Sequence, residues 1–234
     1  MSTVLTEQLD PRYWADLADN RGWRVVWHRT QRCPCLGVEG HPNPDCAVCG
    51  GDGFIREPGV ETRFTIGSMS RRREWLQPGT IEQGEIMAVI APLLWDRSRD
   101  PWTLSTAHPA YGASEGDLFV ALDAEQTQSV VLTRDRRDKV RSHYPTRIVK
   151  VTALRGSGAE AETVELIEGT DFRRDGRNIV WASAAEPQSF EHYSVLYSYR
   201  PEFILRKEIP SPHLNVDRPL PKRFTAMLRD RVEG

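Results

Sequence analysis

The regular pattern of the chain opens with apolar positions at helical spacing. Trp14, Leu17 and Ala18 share one face, Asp10 can cap the helix, and Pro11 suits the first helical position. Gly22 can end it. Trp23, Val25 and Trp27 then alternate with Arg24, Val26 and His28, which predicts a short strand. A stretch without periodicity, rich in Gly and Pro, follows from about Gln31 to Ile55. Beyond it, alternation dominates. Val60, Thr62, Phe64 and Ile66 share one face, and the runs from Glu85 to Ile90, Asp117 to Leu122, Gln128 to Thr133 and Arg147 to Leu154 are apolar, β-branched and bounded by Gly, Pro or Asp.

The stretch Arg155 to Glu162 is small and polar, and reads as a linker or hairpin tip. Asp175-Gly176 then stands between two strand-like runs and predicts a tight hairpin. Tyr193, Val195, Tyr197 and Tyr199 alternate with Ser194, Leu196, Ser198 and Arg200, the cleanest strand pattern in the chain. From Pro201 the character changes. Pro201, Pro210, Pro212, Pro219 and Pro221 punctuate the remainder and predict an extended tail. Phe224, Met227 and Leu228 fit either a last helical turn or a docking strand, and Phe203, Ile204, Leu205, Phe224 and Leu228 would be contacts for a partner.

These signals predict a mostly β protein. Residues 1–30 form a short N-terminal helix and strand, 31–55 a zinc-stabilised loop module, 56–154 a central β-barrel-like domain, 155–200 a small β-sandwich-like unit, and 201–234 an extended Pro-rich tail. With 234 residues, 39% hydrophobic and 27% charged, the chain can bury a sizeable core. A net charge of -2 gives no global attraction to nucleic acid or anionic membrane. No signal-peptide pattern, N-glycosylation sequon or membrane-length apolar run occurs, which predicts a reducing cytoplasm as the place of synthesis.

All four cysteines fall in one window: Cys33-Pro34-Cys35, ten residues, then Cys46-Ala47-Val48-Cys49-Gly50-Gly51. Two close pairs on two turns can place four soft sulfur ligands at the corners of a tetrahedron, as zinc requires. The alternatives are disulfides, free thiols or iron, with His28 and His41 as reserve ligands. A four-cysteine site has no open position for water, so it points to folding and not catalysis. Gly112-Ala113-Ser114-Glu115-Gly116 matches the nucleophile-elbow pattern, but a Pro-containing loop precedes it and a strand follows, the reverse of what that motif needs. No phosphate-binding loop, dinucleotide fingerprint or HExxH occurs, and no catalytic residue is assigned. Basic clusters at Arg71 to Arg73, Arg134 to Lys139, and Lys222-Arg223 with Arg218 read as solvated loops or as contacts for an acidic surface. The seven tryptophans, Trp14, Trp23, Trp27, Trp75, Trp95, Trp102 and Trp181, suit core or interface.

Two segments carry a family resemblance. Cys33-Pro34-Cys35 through His41-Pro42-Asn43-Pro44-Asp45-Cys46 to Cys49-Gly50-Gly51-Asp52-Gly53 resembles a cysteine module of tailed-bacteriophage virion proteins. Gly169-Thr170-Asp171-Phe172, Ile179-Val180-Trp181 and the run Tyr193 to Pro201 resemble a small β module of phage structural proteins. The resemblance implies a ring-forming neck or head–tail joining protein, resident in the virion and without catalytic activity. Its partners would be further copies of itself and neighbouring head, neck or tail proteins, with DNA bound only non-specifically if at all and no membrane. The runner-up is a zinc-ribbon nucleic-acid-binding module. That reading suffers from the absence of Lys or Arg between Cys33 and Cys49, where Glu39 and Asp45 are acidic. A third reading is an enzyme whose pocket leaves no mark in the sequence.

Overall fold

The computed structural model describes residues 11–37, 41–43, 45–68, 85–96, 103–104, 107–134, 138–140, 142, 144–155, 162–182, 190, 192–209 and 220–229. Among the described residues one helix, α1 (Pro11–Arg21), precedes the strands β1 (Trp23–His28), β2 (Thr30–Arg32), β3 (Phe54–Arg56), β4 (Val60–Ser68), β5 (Glu85–Ile90), β6 (Trp95–Asp96), β7 (Thr103–Leu104) and β8 (Leu118–Ala121). Then come β9 (Gln126–Thr133), β10 (Pro145–Arg155), β11 (Glu162–Leu166), β12 (Phe172–Asp175), β13 (Asn178–Trp181), β14 (His192–Tyr199), β15 (Glu202–Ile209) and β16 (Lys222–Leu228). Described residues of 1–123 and 202–234 form one compact unit, and those of 124–201 a second.

The first unit is a closed antiparallel barrel in the order β1-β4-β5-β16-β15-β8. Its interior is aromatic. Phe64, Phe119 and Phe224 are fully buried; Phe119 stacks on Phe203 at 5.1 Å and meets Phe64 edge-on at 5.2 Å. The expected face of β4 holds in part: Thr62 and Phe64 point inward and Ile66 is half-buried, while Val60 is exposed. α1 ends where Gly22 N–H donates to Ala18 O at 2.9 Å. A Cβ on Gly22 would stand 2.2 Å from that oxygen, so only glycine fits. Arg63 of β4 donates to the carbonyls of Asp19 and Gly22 beside the helix C-terminus, where a cation is favoured.

A 3₁₀ turn, Pro109–Gly112, packs against β4. His108 anchors it and is almost wholly buried, 6.1 Å from the Phe64 ring. Its Nδ1 accepts from Ala110 N–H at 3.0 Å, which places the proton on Nε2, facing Arg63 O at 3.1 Å. Burial pushes this histidine down from 6.5 to about 4, against the opposing effect of the Arg63 carbonyl.

The second unit is a four-stranded sheet in the order β11-β10-β14-β9, with the hairpin β12–β13 sharing its core. Tyr193, Val195, Tyr197 and Tyr199 all face that core, as their alternation predicts. The Tyr197 and Tyr199 hydroxyls donate to Gln128 and Gln126 directly across the ladder. Trp181 Nε1–H and Tyr193 O–H both donate to Asp138, and Arg134 lies over the Trp181 ring at 5.1 Å.

Three expectations need correction. The residues expected as an extended tail over 201–234 supply β15 and β16, two of the six barrel strands, so Phe203, Ile204, Leu205 and Phe224 are core and not a docking arm. The prolines misled because Pro201 and Pro221 flank the strands without interrupting them; Pro210, Pro212 and Pro219 lie outside the described residues. The division at 154/155 also moves. β9 and β10 pair with β14 and belong to the second unit, while β1 belongs to the barrel. Finally, Asp175 pairs with Asn178, so the turn is centred on Gly176-Arg177, with Gly176 at φ 58. The hairpin type is as expected, one residue further on. Trp75, Trp102, Arg71 to Arg73, Arg218 and Gly156 to Ala161 lie outside the described residues.

Two predictions follow from this core. Between pH 6.5 and about 4 the unfolded chain takes up a proton at His108 that the folded chain does not, so stability falls as pH falls through that window. The loss amounts to about 3 kcal/mol. In His108→Asn, whose side chain can still accept from Ala110 N–H, the fall should shrink; denaturation midpoints across pH 7 to 4 measure it, and identical profiles refute the assignment. At the hairpin, a Cβ on Gly176 would touch nothing, so the cost of Gly176→Val is backbone strain alone, about 1 kcal/mol or more. An unchanged melting temperature would show that the turn does not need a positive φ.

Candidate metal centre

Residues 31–55 have too little apolar surface to fold by packing, and the hairpin β2–β3 closes the base of the loop they form. Arg32 pairs with Phe54, and Cys33 N–H donates to Gly53 O at 2.8 Å, so the first cysteine starts where the ladder ends. Pro34–Leu36 form a single 3₁₀ turn that carries Cys35. On the other arm Cys46 N–H donates to Asn43 O and Gly50 N–H to Cys46 O, a tight turn bearing Cys46 and Cys49. Gly50, Gly51 and Gly53 have φ of 62, 87 and 76, which lets the backbone wrap around Cys49. Gly53 N–H then donates to Cys49 Sγ at 3.3 Å. A Cβ on Gly53 would press on Leu36 at 3.0 Å and Pro42 at 3.3 Å.

The result brings all four predicted ligands together. The sulfurs of Cys33, Cys35, Cys46 and Cys49 lie within 4.8 Å of one another, with Cys33 to Cys46 at 3.8 Å and Cys35 to Cys49 at 3.5 Å. Sulfurs on a tetrahedron at about 2.3 Å from a central ion stand about 3.8 Å apart. A disulfide would need about 2.05 Å, and the four thiols are free. The cluster can hold a metal ion. Backbone N–H groups of Cys49 and Val48 hold the Cys46 thiol down to about 6. Cys35 gains from the Asn43 N–H, but burial and the other three sulfurs outweigh it and push it up to about 12. Four thiolates this close are stable together only around a cation.

The reserve ligands are not needed. His41 is exposed, and His28 Nδ1 donates to Glu57 O at 3.0 Å. Ser114 follows the 3₁₀ turn and precedes β8, and its N–H donates to Asp117, so it has no elbow geometry. Asp117, buried, also accepts from Trp27 Nε1–H and Thr30 N–H, joining the end of β1 to the start of the cysteine hairpin.

One set of residues escaped the sequence reading. Asp52, three positions after Cys49, meets Arg229 at 3.3 Å and Arg56 at 3.9 Å. Glu202 Oε2 accepts from Arg56 and Arg229, each at 3.0 Å. Two acids and two bases thus cancel in a site where every side chain is less than 15% exposed. Removing one partner from such a buried group strands the others, at about 3–5 kcal/mol. Asp52 and Arg56 stand four residues apart at β3, but nothing local links them to residues 202 and 229.

No family model and no curated protein matches this chain. Among the described residues, no helix is long and apolar enough to cross a membrane.

Purified protein should carry about one tightly held metal ion per chain, and Cys49→Ser should lose it. Proteolysis of that variant should begin within residues 31–55, because the loop cannot fold on packing alone. Retention of stoichiometric metal, or protection of that segment without it, would contradict a structural site.

Proposed function

We propose that the chain is a structural component of a tailed-phage particle, a ring-forming neck or head–tail joining protein resident in the virion, whose four cysteines hold one zinc ion. It works by binding neighbouring proteins, without turnover. The reading rests on the two motif segments found together in one chain. Each coincides with a discrete folded piece: the four-cysteine loop, and the hairpin β12–β13 with β14. Within the second motif, Asp171 accepts from Ile167 N–H at 2.7 Å and Gly169 takes φ 90, so its Gly-x-Asp is a turn. Zinc is favoured over iron because a closed, redox-inert four-thiolate site serves a protein whose metal has only to hold a loop.

A second support is the edge strand β9. Among the described residues it pairs on one side only, with β14, and its eight residues from Gln126 to Thr133 contain no charge and no proline. Proteins that remain monomeric usually guard such an edge with lysine, proline or a bulge. Val131, on its outer face, is 68% exposed. The zinc-ribbon alternative loses ground on charge, since Arg56 and Arg229, which meet the cysteine loop at Asp52, are already engaged by Asp52 and Glu202.

The full chain, alone and with neighbouring particle proteins, should form a discrete closed assembly by native mass measurement. Elemental analysis should find zinc. Val131→Lys should weaken assembly without lowering the melting temperature. A chain that stays monomeric at all concentrations and docks on no particle protein would overturn the reading. Tight, salt-sensitive DNA binding would also overturn it, in favour of the zinc ribbon.

A further inference from the structure

The cysteine loop and the end of the barrel meet at buried charges. Asp52 is tethered to the candidate metal centre from both sides: its own N–H donates to Cys49 O at 3.2 Å, and the next N–H, of Gly53, donates to Cys49 Sγ. Its carboxylate reaches Arg229, just beyond β16. Glu202 opens β15. Phe203 pairs with Leu228, so Glu202 and Arg229 stand opposite each other at the end of the β15–β16 ladder. Both are buried, with side chains 5% and 6% exposed. Arg56 adds a second cation, and its Nε has no hydrogen-bond partner among the described residues, so its charge depends on these two carboxylates.

We infer that metal occupancy is coupled to closure of the barrel through Asp52, Arg56, Glu202 and Arg229, so that the metal centre acts as a clasp on the two C-terminal strands. The physical path is short. The ion fixes Cys49; Cys49 fixes the turn through Gly53; the turn holds Asp52 where it neutralises Arg229. With the sulfurs unligated, the turn from Cys49 to Gly53 loses its anchor at the Cys49 sulfur, and any displacement of Asp52 draws one carboxylate away from Arg229 and Arg56 in a desolvated site. Coupling between two equilibria is reciprocal, so loosening the charge cluster must also weaken the metal. This inference is independent of the phage reading, because it needs only a bound ion and the barrel.

Two measurements test it, neither involving assembly. Arg229→Met keeps all four cysteines and much of the side-chain volume, and should weaken zinc binding by about tenfold in competition with a chromophoric chelator. In the wild-type chain, removing the metal with EDTA should speed hydrogen exchange in β15 and β16 by about tenfold or more, beginning at the Phe203–Leu228 end, while β10 and β14 keep their rates. Should Arg229→Met fail to fold, the exchange measurement on the wild-type chain decides alone. Unchanged zinc affinity in a folded Arg229→Met, or faster exchange confined to residues 31–56 with β15 and β16 unaffected, would overturn the clasp.

Discussion

The barrel closes only when the end of the chain returns to it. β1, β4, β5 and β8 provide four strands, and the gap between β5 and β8 is filled by β16 and β15, which begin after an excursion through the whole second unit. Most of the rest depends on that return. Phe119 has its stacking partner only when Phe203 arrives, and Ala88 and Val89 are covered only when Phe224 and Arg223 pair with them. The excursion is cheap in geometry because its two ends are neighbours: Glu202 re-enters opposite Val120, three residues before Asp123, where the first unit leaves off. The loop-closure entropy of the intervening segment falls if that segment is already compact, and the second unit is contiguous in sequence.

Closure at one end is also where the protein places its costliest group. Burying four charges gains little over apolar packing, so the cluster of Asp52, Arg56, Glu202 and Arg229 is weak evidence of stability by itself. Its value lies in discrimination. Three sequence-distant segments, the cysteine loop with β3, the start of β15 and the end of β16, must all be correctly placed before all four charges are satisfied together. Misregistered β15 or β16 would bury an unpaired charge. A metal that fixes Asp52 therefore supports register as well as stability.

How much of this the residues announced depends on how local each signal is. The four-cysteine cluster was legible because its chemistry and its spacing lie within one short window, and the sulfurs converge as expected. β14 was legible because one of its faces is packed and the other is less covered, leaving an alternation of Tyr and Val with Ser and Leu. β15 was not. Its first four residues, from Glu202 to Leu205, are all buried, on both faces of the strand, so period two vanishes. Three consecutive apolar residues beside prolines then look like a docking segment. The charge cluster was invisible for a related reason, since its members are separated by up to 177 positions, from Asp52 to Arg229, and no local rule joins them. The hairpin turn was misplaced by one residue because Asp-Gly and Gly-Arg both satisfy a turn with positive φ, and only the pairing of Asp175 with Asn178 separates them.

The distribution of strand edges gives the functional reading its physical sense. A closed barrel has no free edge, so its backbone hydrogen bonds are spent internally and it offers nothing for strand addition. Among the described residues, the four-stranded sheet of the second unit has two. β11 is five residues long and carries two charged side chains, Glu162 and Glu165, the latter paired with Lys150, and charges on an edge strand discourage a further strand. β9 is longer, uncharged, and alternates inward Gln126, Gln128, Val130 and Leu132 with outward Thr127, Ser129, Val131 and Thr133. Backbone N–H and C=O groups along such an edge are best satisfied by another extended chain, and side chains this small and uncharged do not oppose its approach. Under a ring-forming reading, the barrel would be the body whose backbone is satisfied internally, and the β9 edge of the inserted unit would be the surface through which one copy meets the next.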